Sequence, residues 1–165
     1  MEGSGGSQGF NMDRLSTGAK IVGVSAIVFL VWTFLPFWYS WDRGPFGGKQ
    51  GVSGFTFPIF ISWFLAIVAL VGVGLTAMGT QMKMQMKPGT VQLIIAGVAA
   101  VFTILGLVLK PSLGALGISV SAGISWGLFV GIAITLVWAY GAYMWHSEPG
   151  GSSAGGMGTG GGMSA

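Results

Sequence analysis

One uncharged stretch near the N-terminus constrains the fold more than any other part of the chain. Residues 21–41 read IVGVSAIVFLVWTFLPFWYSW. As a helix, residues 21–38 would span roughly 27 Å, which is close to the hydrocarbon thickness of a bilayer. Bulky aromatic residues follow where a signal peptide would have a small-residue cleavage site. We therefore expect this segment to insert in the membrane and to be retained as an anchor.

Three further apolar segments follow, at residues 55–78, 90–109 and 124–145. Hydrophobic residues make up 52% of the chain and charged residues only 7%, against about 25% charged in ordinary soluble domains. The sequence predicts an all-α membrane protein, with four transmembrane helices in an up-and-down bundle that forms one domain over residues 15–146.

The ends of the chain and one internal segment differ from this pattern. Residues 1–14 and 147–165 are rich in glycine and serine, which predicts disordered tails. Residues 112–123, SLGALGISVSAG, are too apolar for an ordinary loop and too rich in glycine for a confident helix. This segment is either interfacial or an extension of the fourth span.

The distribution of basic residues gives the orientation. On the N-terminal side of the membrane the basic residues are Arg14, Lys20, Lys83 and Lys87. On the opposite side they are Arg43, Lys49 and Lys110. The positive-inside rule then favours cytoplasmic termini in a plasma-membrane protein, by one charge. The charges form no basic stripe, so we expect no nucleic-acid partner.

The predicted spans contain no aspartate, glutamate, lysine, arginine or histidine, although such residues mark proton relays and ion pathways in membrane proteins. His146 is the only histidine, and the chain has no cysteine. A haem or metal site would need more ligands than these. No serine–histidine–acid set or pair of carboxylates can be assembled either. The sequence therefore predicts no catalytic residue, no metal site and no cofactor.

One spacing indicates close helix packing. Small residues recur every four positions before and along the fourth span, at Ser119, Gly123, Gly127, Gly131 and Thr135. On one helix they would form a ridge that another backbone can approach closely. The ridge would pack either on the chain's own helices or on another subunit, and an alanine at Gly127 would cost much less than a leucine. Candidate counter-faces within the chain are Ser62 with Ala66 and Ala96 with Ala100.

Aromatic and basic residues at the ends of the spans predict contacts with the lipid interface, where such residues are enriched. After the first span these are Trp38, Tyr39 and Trp41. Between the second and third spans they are Lys83 and Lys87. At the end of the fourth they are Trp138, Tyr140, Tyr143 and Trp145.

The run LSTGAKIVGVSAIVFLVWTFLPFWYSW, from Leu15 to Trp41, resembles the opening of small four-span membrane proteins of actinobacteria. The shared features are a Ser/Thr-Gly-x-Lys-Ile start, here residues 17–21, and a Phe-Leu-Pro exit followed by aromatic residues, here residues 34–39. That family has no assigned activity. The resemblance implies a location in the cell envelope and no particular site.

Two functions are compatible with these features. The first is a non-catalytic accessory or scaffold subunit of a larger membrane complex, with lipids and other integral membrane proteins as partners. The second is a small oligomeric carrier or channel for a lipid or an uncharged solute. The polar lining of such a path would come from Thr33, Ser62, Thr76, Thr103, Ser125 and Thr135.

Overall fold

The computed structural model describes residues 12–42, 48–79, 86–110, 112–115 and 118–148. Within these ranges the fold is dominated by four helices, each long and apolar enough to cross a membrane. They are α1 (Thr17–Phe34), α2 (Ile59–Ala77), α3 (Pro88–Val108) and α4 (Trp126–Ser147). The prediction of four long apolar helices is confirmed.

Local sequence explains why α1 lies earlier in the chain than the predicted span at residues 21–38. The Ser16 hydroxyl caps the first turn by accepting from the Ala19 amide at 3.2 Å. At the other end Pro36 disfavours helical geometry in the residue before it, and Leu35 is extended, with φ −75° and ψ 141°. The helix therefore ends at Phe34, and residues 35–38 are free to turn back.

Short strands occupy the connections at one end of the helices, where the sequence predicted no strand. Three of them, β1 (Tyr39–Asp42), β2 (Lys49–Val52) and β5 (Gly123–Ile124), form an antiparallel sheet in the order β2-β1-β5. The other two, β3 (Ser112–Ala115) and β4 (Ile118–Ser121), form a separate hairpin. Residues 112–123 thus pair largely as strands and do not extend the fourth helix.

Each helix packs against its neighbour in the sequence, and α4 also packs against α1. The α1–α4 contact is close, because a Cβ added at Gly141 would lie 2.5 Å from Ile21 Cγ2. Between α3 and α4, the Thr90 hydroxyl lies 3.0 Å from His146 Nδ1. Glycine at such contacts lets two backbones approach closely, which increases van der Waals contact between helices.

Polar side chains tie α2 to α3 through backbone carbonyls. The Ser62 hydroxyl donates to the Ala99 carbonyl at 2.8 Å, and the Thr103 hydroxyl lies 3.1 Å from Ser62 Oγ. Nearer the other end of α2, Gln92 Nε2 donates to the Ala69 carbonyl at 3.1 Å. Since an apolar interior offers no water, these bonds replace the hydration that the polar groups have lost.

The described residues extend at both ends beyond the predicted domain, residues 15–146. Residues 12–14 form a short 3-10 helix, although they were assigned to the disordered N-terminal tail. The fourth helix continues to Ser147, and the Glu148 carboxylate accepts from the Gly18 amide at 3.3 Å. A carboxylate there complements the dipole at the N-terminus of α1. The remaining tail residues, 1–11 and 149–165, lie outside the described ranges.

Candidate functional site

Trp38 closes one end of the helix bundle. After α1 the chain turns back, and the Trp38 side chain is fully buried. Its indole Nε1 donates to the Trp32 carbonyl at 2.9 Å, and its ring meets Phe29 edge-on with centroids 5.9 Å apart. Buried indoles usually satisfy the N–H in this way while the ring supplies a large apolar contact area.

Two glycines make room for this ring. A Cβ at Gly131 on α4 would overlap the six-membered ring of Trp38, with Cζ3 only 2.7 Å away. A Cβ at Gly54, in the segment before α2, would lie 2.7 Å from Trp38 Cε2. We call Phe29, Gly54 and Gly131 the Trp38 seat. The seat joins parts of the chain that are far apart in sequence.

Backbone hydrogen bonds hold Trp38 in the seat. Its amide donates to the Val52 carbonyl at 3.1 Å, and its carbonyl accepts from the Ser125 amide at 3.2 Å. The Gly54 amide donates to the Thr33 carbonyl at 2.9 Å. The exit of α1, the segment before α2 and the start of α4 are thereby fixed to one another.

The neighbouring Gly127 makes a second close contact with the same turn. Its amide donates to the Phe37 carbonyl and its carbonyl accepts from Trp32 Nε1, both at 2.9 Å. An added Cβ would overlap the Phe37 carbonyl oxygen. Alanine at Gly127 therefore has a cost of its own, because backbone atoms move aside less easily than a flexible side chain. That alanine costs much less there than leucine stays a prediction.

The predicted small-residue ridge is only partly a helical feature. Gly127, Gly131 and Thr135 are buried on α4, but Ser119 lies in β4 and Gly123 in β5. The predicted ridge is wrong at those two positions, because Gly123 pairs with Ser40 of β1 and α4 begins only at Trp126.

The partner of the ridge also differs from the prediction. Gly127 and Gly131 pack on Phe37 and Trp38, which belong to the turn after α1. Ser62, a predicted counter-face, instead hydrogen-bonds within the α2–α3 contact.

Four of the residues predicted at the lipid interface are buried inside the protein, and for these the prediction is wrong. They are Trp38, Tyr39, Trp138 and Trp145, all at most 3% exposed. The physical reason is that large rings fill the space that small alanine and glycine side chains leave between the helices. Within this group Trp138 packs near Phe29, with ring centroids 6.3 Å apart.

The other predicted interface residues have different positions. Tyr140 and Tyr143 are 61% and 58% exposed, Lys87 is exposed, and Trp41 is partly buried. Lys83 lies outside the described residues. A second set of exposed aromatic side chains, which was not predicted from the sequence, adjoins the β-sheet end of the helices. They are Phe34, Phe37, Phe55, Phe57, Phe60 and Trp126.

Among the described residues at this end, Tyr39 is a buried group whose pKa is shifted. Its hydroxyl donates to the Gly106 carbonyl at 2.9 Å, and its side chain is fully buried. Burial raises the pKa of Tyr39 above its ordinary value. Tyr39 thus anchors β1 to the C-terminal end of α3 in its neutral form.

The interior of the described residues offers structural hydrogen bonds and no reactive set. No group of three or more histidine, cysteine, aspartate or glutamate side chains comes together there. The hydroxyls of Thr33, Thr103 and Thr135 all donate to carbonyls of their own helices. Such bonds stabilise buried polar groups and leave the hydroxyls without a neighbouring base that would activate them.

No known protein-family model, curated protein or solved structure matches this chain. Its described residues form four long apolar helices, and a buried tryptophan closes one end of them. The resemblance of residues 15–41 to small actinobacterial membrane proteins stays a prediction.

The Trp38 seat predicts that replacing glycine by alanine lowers the free energy of unfolding more at position 131 than at position 97. We expect Gly131→Ala to lower the free energy of unfolding by about 1–3 kcal/mol, because the new methyl overlaps the Trp38 ring. Gly97→Ala is the matched control, since nothing lies within 4 Å of a Cβ there and alanine favours a helix. Denaturant unfolding in detergent micelles measures both. Equal effects of the two substitutions would contradict the close contact.

Burial of Tyr39 predicts a stability loss at alkaline pH. The folded pKa is raised above the unfolded value of about 10, so the stabilisation is complete below pH 10 and is lost as the pH rises further. We expect the melting temperature to fall less between pH 9 and pH 11 in Tyr39→Phe than in the wild type. The same substitution at exposed Tyr143 is the control and should follow the wild type. A Tyr39→Phe profile parallel to the wild type would contradict this assignment.

Proposed function

We propose that this chain is a non-catalytic, multi-pass integral membrane protein that acts as an accessory or scaffold subunit of a larger membrane complex. In this proposal the four helices form an up-and-down bundle in the plasma membrane. Both termini face the cytoplasm, and the short β-sheets lie on the opposite side. The partners are membrane lipids and other integral membrane proteins.

Outward-facing apolar side chains support membrane insertion. Each helix exposes large aliphatic residues near its middle, including Val24, Val71, Val101 and Leu136, which are 54% to 61% exposed. Water would make such continuous apolar surfaces costly, whereas lipid chains solvate them without penalty.

Contacts at both ends of α1 and α4 support the up-and-down arrangement. The start of α1 lies against the end of α4, since Gly18 adjoins Trp145. The turn after α1 lies against the start of α4, where Trp38 adjoins Gly131. The two helices therefore run in opposite directions. Short connections favour the same arrangement for consecutive helices.

The filled interior is the single observation that most supports a packing role. Trp38 closes one end of the bundle, and Phe29 and Trp138 are fully buried beside it. A carrier or channel would need a polar path, but the buried hydroxyls of Ser62 and Thr103 already bond within the α2–α3 contact. These features favour an accessory subunit over a path through the bundle.

The proposed function is tested by site-specific crosslinking in intact cells. A photoreactive amino acid replaces one outward-facing residue at a time: Val24, Val71, Val101 or Leu136. An accessory subunit should crosslink to one recurrent membrane protein from one helix face, and only to lipid from the others. The face of α3 at Val101 is the first to probe, because the nearby Gly97 leaves open space beside the helix.

The matched control places the same amino acid at Leu128, which is large and fully buried and should give only intramolecular products. If all four exposed positions crosslink only to lipid, and the protein extracted in mild detergent is a monomer, the accessory role is wrong.

A further inference from the structure

We propose that six exposed aromatic side chains form a collar that sets the depth of the protein in the bilayer, with the lipid headgroup boundary as its partner. The collar consists of Phe34, Phe37, Phe55, Phe57, Phe60 and Trp126. This inference rests on the proposed membrane-spanning function and adds which residues meet the interface on the β-sheet side. They are not the residues that the sequence pattern indicated.

The collar residues come from several elements that meet at one level of the fold. Phe34 ends α1, Phe60 lies in the first turn of α2, and Trp126 begins α4. Neighbouring rings contact each other, with centroids 4.9 Å apart for Phe34 and Phe55 and 5.2 Å apart for Phe37 and Trp126. The collar thus contains two groups of contacting rings, one formed by Phe34, Phe55 and Phe60 and the other by Phe37 and Trp126.

The extent of the collar favours lipid over a single protein partner. Its residues lie on the α1, α2 and α4 sides, and at the same end α3 exposes Val108 and Leu109, with Lys110 directly after them. A protein partner covers one side of a helix bundle, whereas a bilayer surrounds all sides. Trp126 suits the headgroup boundary because its indole combines an apolar ring with a polar N–H, and the phenylalanine rings supply apolar area on the hydrocarbon side of that boundary.

The distance to the opposite end of the helices matches a bilayer. From Trp126 to Tyr143 along α4 the rise is about 26 Å, and from Phe60 to Met78 along α2 about 27 Å. The residues at the far ends, Tyr143 and Met78, are 58% and 45% exposed. The hydrocarbon core of a bilayer is about 30 Å thick. The collar can therefore lie at one boundary of the core while Tyr143 and Met78 lie at the other.

The collar therefore places the Trp38 seat at the level of the membrane boundary and the β1–β2–β5 sheet beyond it. Lys49 in β2 is exposed, which suits a strand among headgroups or water. The pairing of the sheet strands also satisfies backbone groups that hydrocarbon could not solvate.

Spin-label depth measurements test the collar directly, because the chain has no cysteine and every label can be placed singly. The variants are Phe57→Cys and Trp126→Cys in the collar, Leu136→Cys in the middle of α4, and Lys49→Cys in β2. Each is labelled with a nitroxide and placed in lipid nanodiscs. Power saturation then compares collisions with apolar oxygen and with a water-soluble nickel chelate.

The collar predicts an ordered result, in which the oxygen-to-nickel accessibility ratio is highest at Leu136, intermediate at both collar positions and lowest at Lys49. If Leu136 is protected from nickel but both collar positions equal either Leu136 or Lys49, the collar is wrong while the membrane span stands. If Leu136 is itself open to nickel, the membrane-spanning function fails together with the collar.

The labelled sites are chosen so that misfolding of a variant does not account for its measured depth. Phe57, Leu136 and Lys49 are exposed, and their replacement should leave the melting temperature in detergent near that of the wild type. Trp126 is also exposed, but its ring contacts Phe37, so a moderate fall in the melting temperature is expected for Trp126→Cys. The two collar sites lie on different elements, so either variant alone still tests the depth.

Discussion

The insertion of Trp38 between Gly54 and Gly131 is the contact on which the rest of the structure depends. Without it, α1 would exit the bundle freely, and nothing would fill the space between α1, α4 and the segment before α2. With it, three parts of the chain share one buried ring and a set of backbone hydrogen bonds. A side chain larger than glycine at position 54 or 131 would overlap the Trp38 ring. A ring as large as that of tryptophan at position 38 therefore requires glycine at both positions.

The same principle operates at the opposite end of α4. Added Cβ atoms at Gly18 and Gly89 would overlap the backbone of Trp145 and His146, so the last turn of α4 lies between the first turns of α1 and α3. Apolar surroundings give helices no hydrophobic reason to associate, and close backbone contact then supplies much of the attraction. Glycine therefore holds α4 at both of its ends.

Much of the helical architecture could be predicted from the sequence, because a long uncharged segment has few alternatives. Which face of each helix points inward and which points outward could not be predicted. When a helix is apolar on every side, hydrophobicity does not distinguish lipid from core, and Trp38 and Trp126 look equivalent in the sequence. Only the structure shows that Trp38 is buried and that Trp126 is 56% exposed.

The start of α4 shows a second reason why the site was only partly predictable. The four-residue spacing of Gly123, Gly127 and Gly131 suggested one helix, and the last two positions do make close contacts on α4. Gly123, however, pairs with Ser40 in the sheet. That pairing joins segments more than eighty residues apart, and local periodicity carries no information about such distant partners.

A double-mutant cycle between Gly131 and Trp38 tests the central claim most directly. Phenylalanine at position 38 lacks the outer ring atoms that an alanine at position 131 would overlap. We therefore predict that Gly131→Ala costs about 1–3 kcal/mol in the wild type and much less in Trp38→Phe. Gly97→Ala should have the same effect in both backgrounds. If Gly131→Ala costs the same in both, Trp38 does not occupy the space that this glycine leaves, and the account of the closed bundle end is wrong.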